Sequence, residues 1–518
     1  MSGGQGLNLG AFSGAFSIGR TKMMQSTDAR SGALLGAAWG ESTPEQIDAA
    51  VAAAASAADA FAATTNAQRA ALLRALAQAL ADNSAALLPV ADRETALGLA
   101  RLEGELARTA FQLRGFADAL EQGAAQAFLD EAAIAGAPPA GRPRLTRIQA
   151  PLGPVAVFAA SNFPFAFSVL GGDSASALAA GCPVVLKAHP GHAQLSRDVA
   201  AIASSVVAQC GLPAGVFQLV EGASVDVGVR LVQAPAIAAV AFTGSFKGGT
   251  ALARLATERA RPIPFYGELG SVNPLVVLPA ALGGGAGGPD ALAQTLADSI
   301  CLGAGQFCTS PGVIVVFKDG PGEAFVQQLA TRLAALAPHA MLNAGIRAAF
   351  ERGVGQWRAD ARLQVLVDGA PREGGPQPFL AQVDAADFIA DHALHEEVFG
   401  SAALVVRVDD MQQAVAVLDA IGGTLTTTLW GVPTGDELPD AALLALVRKA
   451  VQVSGRVLFS GVPTGVAVTA AQHHGGPFPA STAPFTTSVG YAAIERFLRP
   501  LALQDAPQWL LAKEGAFF

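Results

Sequence analysis

Residues 155–187 read VAVFAASNFPFAFSVLGGDSASALAAGCPVVLK. A strand-like run, Val155–Ala159, is followed by a helix-like segment, Asp173–Ala180, and a second strand-like run, Pro183–Leu186. Short apolar runs separated by helical segments are the pattern of parallel strands buried on both faces. The alternation continues outward. Gln194–Val207 reads as helix, Val216–Val220 as strand, Ala236–Phe242 as another apolar run and Thr250–Arg259 as another helix. Such alternation predicts a mostly parallel sheet covered by helices on both sides. A second block begins after Asn273, with strands at Pro274–Leu278 and Val313–Phe317 and helices at Asp290–Ile300 and Phe325–Ala335. It predicts a second α/β domain. Upstream, Thr43 to Glu121 reads helical, with Leu72, Leu73, Leu76 and Leu80 on one face, and a proline-rich break runs from Gly136 to Pro143.

A chain of 518 residues is too long for one ordinary core. Hydrophobic residues make up 51% and charged residues 14%, which argues against disorder, and a net charge of −9 argues against a general nucleic-acid binder. Gln149–Gly172 carries no charge, but Pro151, Pro154 and Pro164 interrupt it, so it reads as strand and loop and not as a membrane span. The N-terminal residues lack a basic start followed by an apolar core, so no secretory signal is expected. Cys182, Cys210, Cys301 and Cys308 form no CxxC pair. Neither zinc nor disulfides are expected from them.

Several segments bear on chemistry. Gly283–Gly288 matches GxGxxG formally, but a dinucleotide fingerprint wants an acid about 20 residues on, where Cys308 stands. It reads as a surface insert. Gly244 and Ser245, with Gly248 and Gly249, join an apolar run to a helix and suit a phosphate; an ordinary glycine turn is the alternative. Cys308 lies between small residues, which favours access; a packed thiol is the alternative. Glu268 lies in an apolar, glycine-flanked loop, where burial would raise its pKa toward general-base range; an exposed loop acid is the alternative. Asn162 offers an amide that could serve an oxyanion or cap a turn.

Together these segments resemble the aldehyde dehydrogenase superfamily from about Thr43 to Leu511. The resemblance rests on Ser161-Asn162-Phe163-Pro164, Val185-Leu186-Lys187, Phe242-Thr243-Gly244-Ser245, Glu268-Leu269-Gly270, Gly305-Gln306-Phe307-Cys308 and Glu396-Glu397-Val398-Phe399-Gly400. A narrower resemblance, to bacterial 2,5-dioxovalerate (α-ketoglutaric semialdehyde) dehydrogenases and NADP-dependent fatty aldehyde dehydrogenases, rests on residues 177–183, 303–308, 473–477 and 497–500. The resemblance implies an α/β fold with a Rossmann-type cofactor domain (1–140 and 155–269), an α/β catalytic domain (270–484) and a small oligomerisation element (141–154 and 485–518). It implies that Cys308 attacks the aldehyde and forms a thiohemiacetal and then a thioester, that Asn162 and the Cys308 backbone N–H hold the oxyanion, and that Glu268 activates water. Lys187, Gly244, Ser245, Gly249, Glu397 and Phe399 would bind the cofactor. Ser161 stands where many members carry tryptophan. Pro190 stands where NAD-preferring members often carry glutamate, which points to NADP with NAD also accepted. No arginine is well placed to clamp a 2′-phosphate, Arg230 being uncertainly aligned. His189 and His192 lie near the adenosine end and could meet that phosphate. His473 and His474 could face the substrate entrance, but exposure is their default.

The implied enzyme acts on a small-molecule aldehyde, with 2,5-dioxopentanoate first and a fatty or aliphatic aldehyde second. The expected protein is cytoplasmic, a homodimer or homotetramer, with no nucleic-acid or membrane partner. A CoA-acylating enzyme would not need Glu268. A non-catalytic member of the fold is opposed by the intact Asn162, Glu268 and Cys308 set. A cysteine hydrolase would need a histidine partner for Cys308, and the sequence identifies none.

Overall fold

The first alternating block forms a five-stranded parallel sheet in the order Phe217–Val220, Val184–Lys187, Val155–Phe158, Ala239–Thr243, Phe265–Glu268. The computed structural model describes residues 22–123, 128–283, 288–337, 339–369, 374–436 and 438–511. Helices Gly172–Ala180, Ala193–Gln209, Val225–Gln233 and Phe246–Thr257 connect the strands. Two apolar clusters sandwich the sheet. Val155, Val157, Val184 and Leu186 face one, and Ala156, Phe158, Val185 and Val240 face the other. Burial on both faces explains why these strands are uniformly apolar and do not alternate.

The second block forms a seven-stranded sheet in the order Gln364–Asp368, Phe379–Asp384, Ala402–Val408, Val313–Phe317, Leu275–Val277, Thr424–Trp430, Ser454–Leu458. All its pairings are parallel except that of the edge strand Gln364–Asp368. Between Glu268, which ends the first sheet, and Leu275, which enters the second, the chain passes from one core to the other. The alternation of the sequence is therefore realised twice.

The helical region is four helices: Pro44–Ala62, Asn66–Asp82, Ser84–Thr95 and Leu99–Glu121. Thr43 and Thr65 each close a capping box with the glutamine three residues on. A hairpin, Met23–Thr27 with Leu34–Gly40, precedes them and has no counterpart in the reading of the sequence.

The C-terminal strand Leu498–Gln504 pairs antiparallel with Leu145–Pro151 of its own chain over seven residue pairs. Leu129–Glu131 adds a third strand, although it lies in the range assigned from sequence to the cofactor domain. Residues 284–287 of the glycine insert lie outside the described residues. Among the described residues no helix is long and apolar enough to cross a membrane.

Candidate active site

Cys308 is held by an unusual piece of backbone. Gly303, Ala304 and Gly305 take left-handed conformations in succession after the helix Gly288–Cys301. A Cβ on Gly305 would stand 2.3 Å from the backbone of Gly400, so glycine there lets the Cys308 segment and the segment 396–400 meet. The fully buried Asn273 fastens the other side. Its Nδ2 donates to the carbonyls of Cys308 (2.8 Å) and Ser310 (3.0 Å). Asn273 itself has φ +44°, a region asparagine enters more readily than most residues. The sequence offers Asn273 only as an asparagine before a proline, so this role was missed.

The Cys308 side chain is half-buried beside two buried groups. His474 Nε2 lies 3.6 Å from Cys308 Sγ and 3.0 Å from Glu268 Oε1. Ser488 Oγ donates to Glu268 Oε2 at 2.6 Å. His474 is 1% exposed and Glu268 5%. The exposed position expected of His474 is thus wrong, and the histidine beside Cys308, which the sequence did not identify, is His474. The glycine-rich loop is folded inward: Ser488 N–H donates to the His474 carbonyl, and His474 N–H to Thr487 Oγ1. Nδ1 of His474 is buried without a partner, so a hydrogen there would have no acceptor. The arrangement favours hydrogen on Nε2, where it can point to Glu268 or to sulfur, one at a time.

Electrostatics here differ from the expectation. Burial acts to raise the Glu268 pKa. The charge His474 carries when protonated, with hydrogen bonds from His474, Ser488 and Cys308, outweighs it, and the carboxyl ends below its ordinary value. Burial, the Glu268 charge and hydrogen bond, and the Glu397 charge hold the Cys308 thiol well above its ordinary value, with its own backbone N–H opposing. The resting pair is therefore a carboxylate beside a thiol.

Asn162 faces the same loop. Its Nδ2 donates to the Gln306 carbonyl at 3.1 Å, two residues before Cys308, which spends one of the two amide hydrogens. The Asn162 carbonyl accepts from Arg101 Nη2 at 2.8 Å. The Arg101 guanidinium lies over the rings of Phe163 and Phe307, at 5.1 and 4.6 Å. Arg101 thereby ties the asparagine loop to the cysteine loop, a connection invisible at a separation of 61 residues.

At the carboxyl edge of the five-stranded sheet, Ser245 caps the helix Phe246–Thr257 and Gly244–Lys247 are exposed. These first-turn N–H groups suit a phosphate. Gly249 serves differently. It is buried, its N–H is committed to the Ser245 carbonyl, and a Cβ there would stand 2.1 Å from the Leu269 side chain. Lys187 ends the strand Val184–Lys187, two places away from Ala239–Thr243 in the same sheet, half-buried, and burial lowers its pKa to about 8 against the opposing charge of Glu41. Among the described residues no carboxylate forms an ion pair with it. Glu397 lies against Gly270 and lines a small cleft with Phe399, Ser271 and Gly305. Burial raises its pKa to about 8, with the Ser271 N–H acting to lower it. Phosphate donors and an ammonium at the carboxyl edge of the five-stranded sheet, with a carboxyl and an aromatic ring in a cleft past Gly270, suit an extended dinucleotide.

His192 is unavailable to such a ligand, because its ring bonds the Ala160 carbonyl (2.8 Å) and Ser196 Oγ (3.1 Å). His189 accepts from Gly191 N–H, and burial with the charges of His192 and Lys187 holds its pKa well below the ordinary value. Arg230 is paired with Asp48. Cys182 is buried, and burial pushes Cys301 up to about 12.

Comparisons with known proteins agree with this geometry. The sequence profile of the aldehyde dehydrogenase family matches residues 20–436. The chain is 45% identical to alpha-ketoglutaric semialdehyde dehydrogenase 2 of Azospirillum brasilense over 86% of this chain and 83% of that one. It is 39% identical to the alpha-ketoglutaric semialdehyde dehydrogenase of Acinetobacter baylyi, over 92% and 89%. In fold it superposes on an NAD-dependent aldehyde dehydrogenase from Sinorhizobium meliloti with a TM-score of 0.77 at 22% identity, covering 94% and 93% of the two chains. With a cysteine, an acid and an amide converging at the junction of two α/β sheets, and with the family profile spanning most of its length, the chain belongs to the aldehyde dehydrogenase family and is an NAD(P)-dependent aldehyde dehydrogenase.

Proposed function

We propose that the enzyme oxidises 2,5-dioxopentanoate, an acidic semialdehyde, with NADP+ preferred and NAD+ accepted. The observation that carries the chemistry is the contact series Cys308–His474–Glu268 beside the Asn162 amide. The names of the relatives at 45% and 39% identity support the substrate.

Cys308 attacks the aldehyde carbon, and the remaining Asn162 N–H with the Cys308 backbone N–H holds the oxyanion of the thiohemiacetal. Glu268 is near enough to take a proton first from the thiol and later from water. When it does, the single His474 N–H turns toward sulfur and stabilises the thiolate. Bound NAD(P)+ supplies the hydride acceptor that leaves a thioester on Cys308. Glu268 then activates water against that thioester. Lys187 and Glu397 would hold the two riboses, Gly244 and Ser245 the pyrophosphate, and Phe399 the nicotinamide. Gly249 keeps the helix close to Leu269 beneath them.

Pro190 in place of an acid supports NADP+; Glu41, whose charge Lys187 feels, supports continued acceptance of NAD+. The aromatic series Phe163, Phe167 and Phe307 favours an aliphatic aldehyde as the second reading. The four free cysteines suit a reducing cytoplasm. Exposed Leu129 on the edge strand of the three-stranded sheet, with exposed Phe128 and Ile134 flanking it in sequence, suits an interface between copies, in a homodimer or homotetramer. The test is kcat/KM for 2,5-dioxopentanoate, pentanal and a long-chain aldehyde with each cofactor, using Cys308→Ala as the control. The acidic semialdehyde with NADP+ should rank first, and Cys308→Ala should yield no NADPH. A higher kcat/KM for pentanal, or turnover by Cys308→Ala, contradicts the reading.

A further inference from the structure

Two arginines that the chemistry above does not use converge on one short segment. Arg108, on the helix Leu99–Glu121, donates from Nη2 to the Val466 carbonyl at 3.3 Å. Arg456, on the strand Ser454–Leu458, donates from Nη1 to the Gly465 carbonyl and from Nη2 to the Pro463 carbonyl, both at 2.7 Å. Residues 463–466 are thus gripped from two sides.

Each arginine is also tied to a flank of the reaction centre. The Arg108 guanidinium lies 5.7 Å from the Phe167 ring centroid. Phe167 packs on Phe163 and Phe163 on Phe307, the neighbours of Asn162 and Cys308. Arg456 follows Gly455, where a Cβ would stand 2.0 Å from the carbonyl oxygen of Gly475, the residue after His474. Both side chains are half-buried. The charge of each is felt at Cys308, while burial lowers both pKa values.

Arg108 feels the charge of Glu105 without contacting it. Among the described residues no carboxylate forms an ion pair with Arg108 or Arg456. The nearest candidate, Glu105, one turn before Arg108, turns Oε1 to the backbone N–H groups of Phe165 and Ala166. Nη1 of Arg108 and Nε of Arg456 are buried without a hydrogen-bond partner. A sequestered guanidinium without an anion is expensive to keep unless an anion arrives. The segment's carbonyls satisfy N–H donors but bring no negative charge.

We infer that Arg108 and Arg456 form the subsite that binds the carboxylate at the far end of the aldehyde substrate, and so set the enzyme's preference for acidic semialdehydes. This rests on the proposed substrate class and extends it to named residues. The aromatic series between Arg108 and Cys308 would line the carbon chain between the aldehyde and that carboxylate. A planar guanidinium suits a carboxylate better than an ammonium does.

The test compares kcat/KM for 2,5-dioxopentanoate with kcat/KM for pentanal, in the parent and in Arg108→Gln, Arg456→Gln and Arg108→Lys. Each glutamine variant should lower the acid-to-pentanal ratio by about 10- to 100-fold, the usual weight of a hydrogen bond to a charged group. Arg108→Lys should recover part of that ratio. Competitive inhibition by 2-oxoglutarate should weaken in parallel. Pentanal oxidation serves as the check that each variant has folded. A ratio within twofold of the parent's in both glutamine variants, with inhibition by 2-oxoglutarate intact, overturns the subsite while leaving the substrate class standing. A parent that itself favours pentanal overturns the substrate class and the subsite with it.

Discussion

Replacing Glu268 by glutamine should make Cys308 more reactive and the enzyme less active. The thiol, carboxylate and imidazole atoms of Cys308, Glu268 and His474 all lie within 4.8 Å of one another. At an effective dielectric of about 20, two charges at that distance interact by about 3.5 kcal/mol, or about 2.5 pH units. Glu268 is one of the groups that hold the Cys308 thiol up, second to burial. Removing its charge while keeping its shape should lower the thiol pKa by about 2 pH units. At pH 7 the thiolate fraction would rise by about 300-fold at the full 2.5-unit shift, but a less basic thiolate is intrinsically slower. With a Brønsted slope of about 0.4–0.5 the net gain is about 20- to 30-fold. The assay is the rate of iodoacetamide alkylation of Cys308, followed by peptide mass spectrometry across pH 5–10 without cofactor. Steady-state aldehyde oxidation should fall by about 10²–10⁴, the usual contribution of a general base. Alkylation at pH 7 that is unchanged or slower in Glu268→Gln would refute the reasoning. It would mean that Glu268 keeps the resting thiol ionised and does not suppress it.

His474 should matter through its single shared hydrogen. His474→Leu removes the donor and should lower kcat by about 10- to 100-fold, whereas His474→Gln keeps an N–H and should lose less. Equal losses in the two variants would assign the histidine to packing. Glu397 makes the pH behaviour of the fold testable. Its carboxyl pKa is raised to about 8, so the folded state holds a proton that the unfolded state releases above about pH 4.5. Its contribution to stability is fully present below the unfolded pKa and is lost as pH rises toward 8. Glu397→Gln should therefore match or trail the parent in Tm at pH 4.5 and exceed it at pH 8.5. A Tm difference that does not change with pH would show that Glu397 ionises normally.

On local context Asn162, Glu268 and Cys308 each kept a bland alternative, and their joint resemblance to the aldehyde dehydrogenase motifs singled them out. His474 was misread from local context. Its glycine-rich loop looks exposed locally, and only the fold of residues 473–488 carries it inward to Glu268, 206 residues away in sequence. The sign of the Glu268 shift was misjudged too. Burial does act upward, as the apolar context implies, but the charge of a protonated His474, with hydrogen bonds from His474, Ser488 and Cys308, reverses it.

By itself the sequence determined the two sheets, because uniformly apolar runs alternating with helical segments can be buried in few other ways. Through its motifs it also picked out the amide, acid and thiol that the structure brings together. Tertiary structure alone decided what surrounds the cysteine. It turned Asn273 into the clamp on the Cys308 loop and brought Arg101 onto the Asn162 carbonyl. Among the described residues it left Arg108 and Arg456 without ion pairs beside a shared segment. It also returned the C-terminal strand to its own chain. Each of these is a contact across tens to hundreds of residues. A residue's neighbours at that separation are set by how the layers pack, which local pattern and composition do not encode.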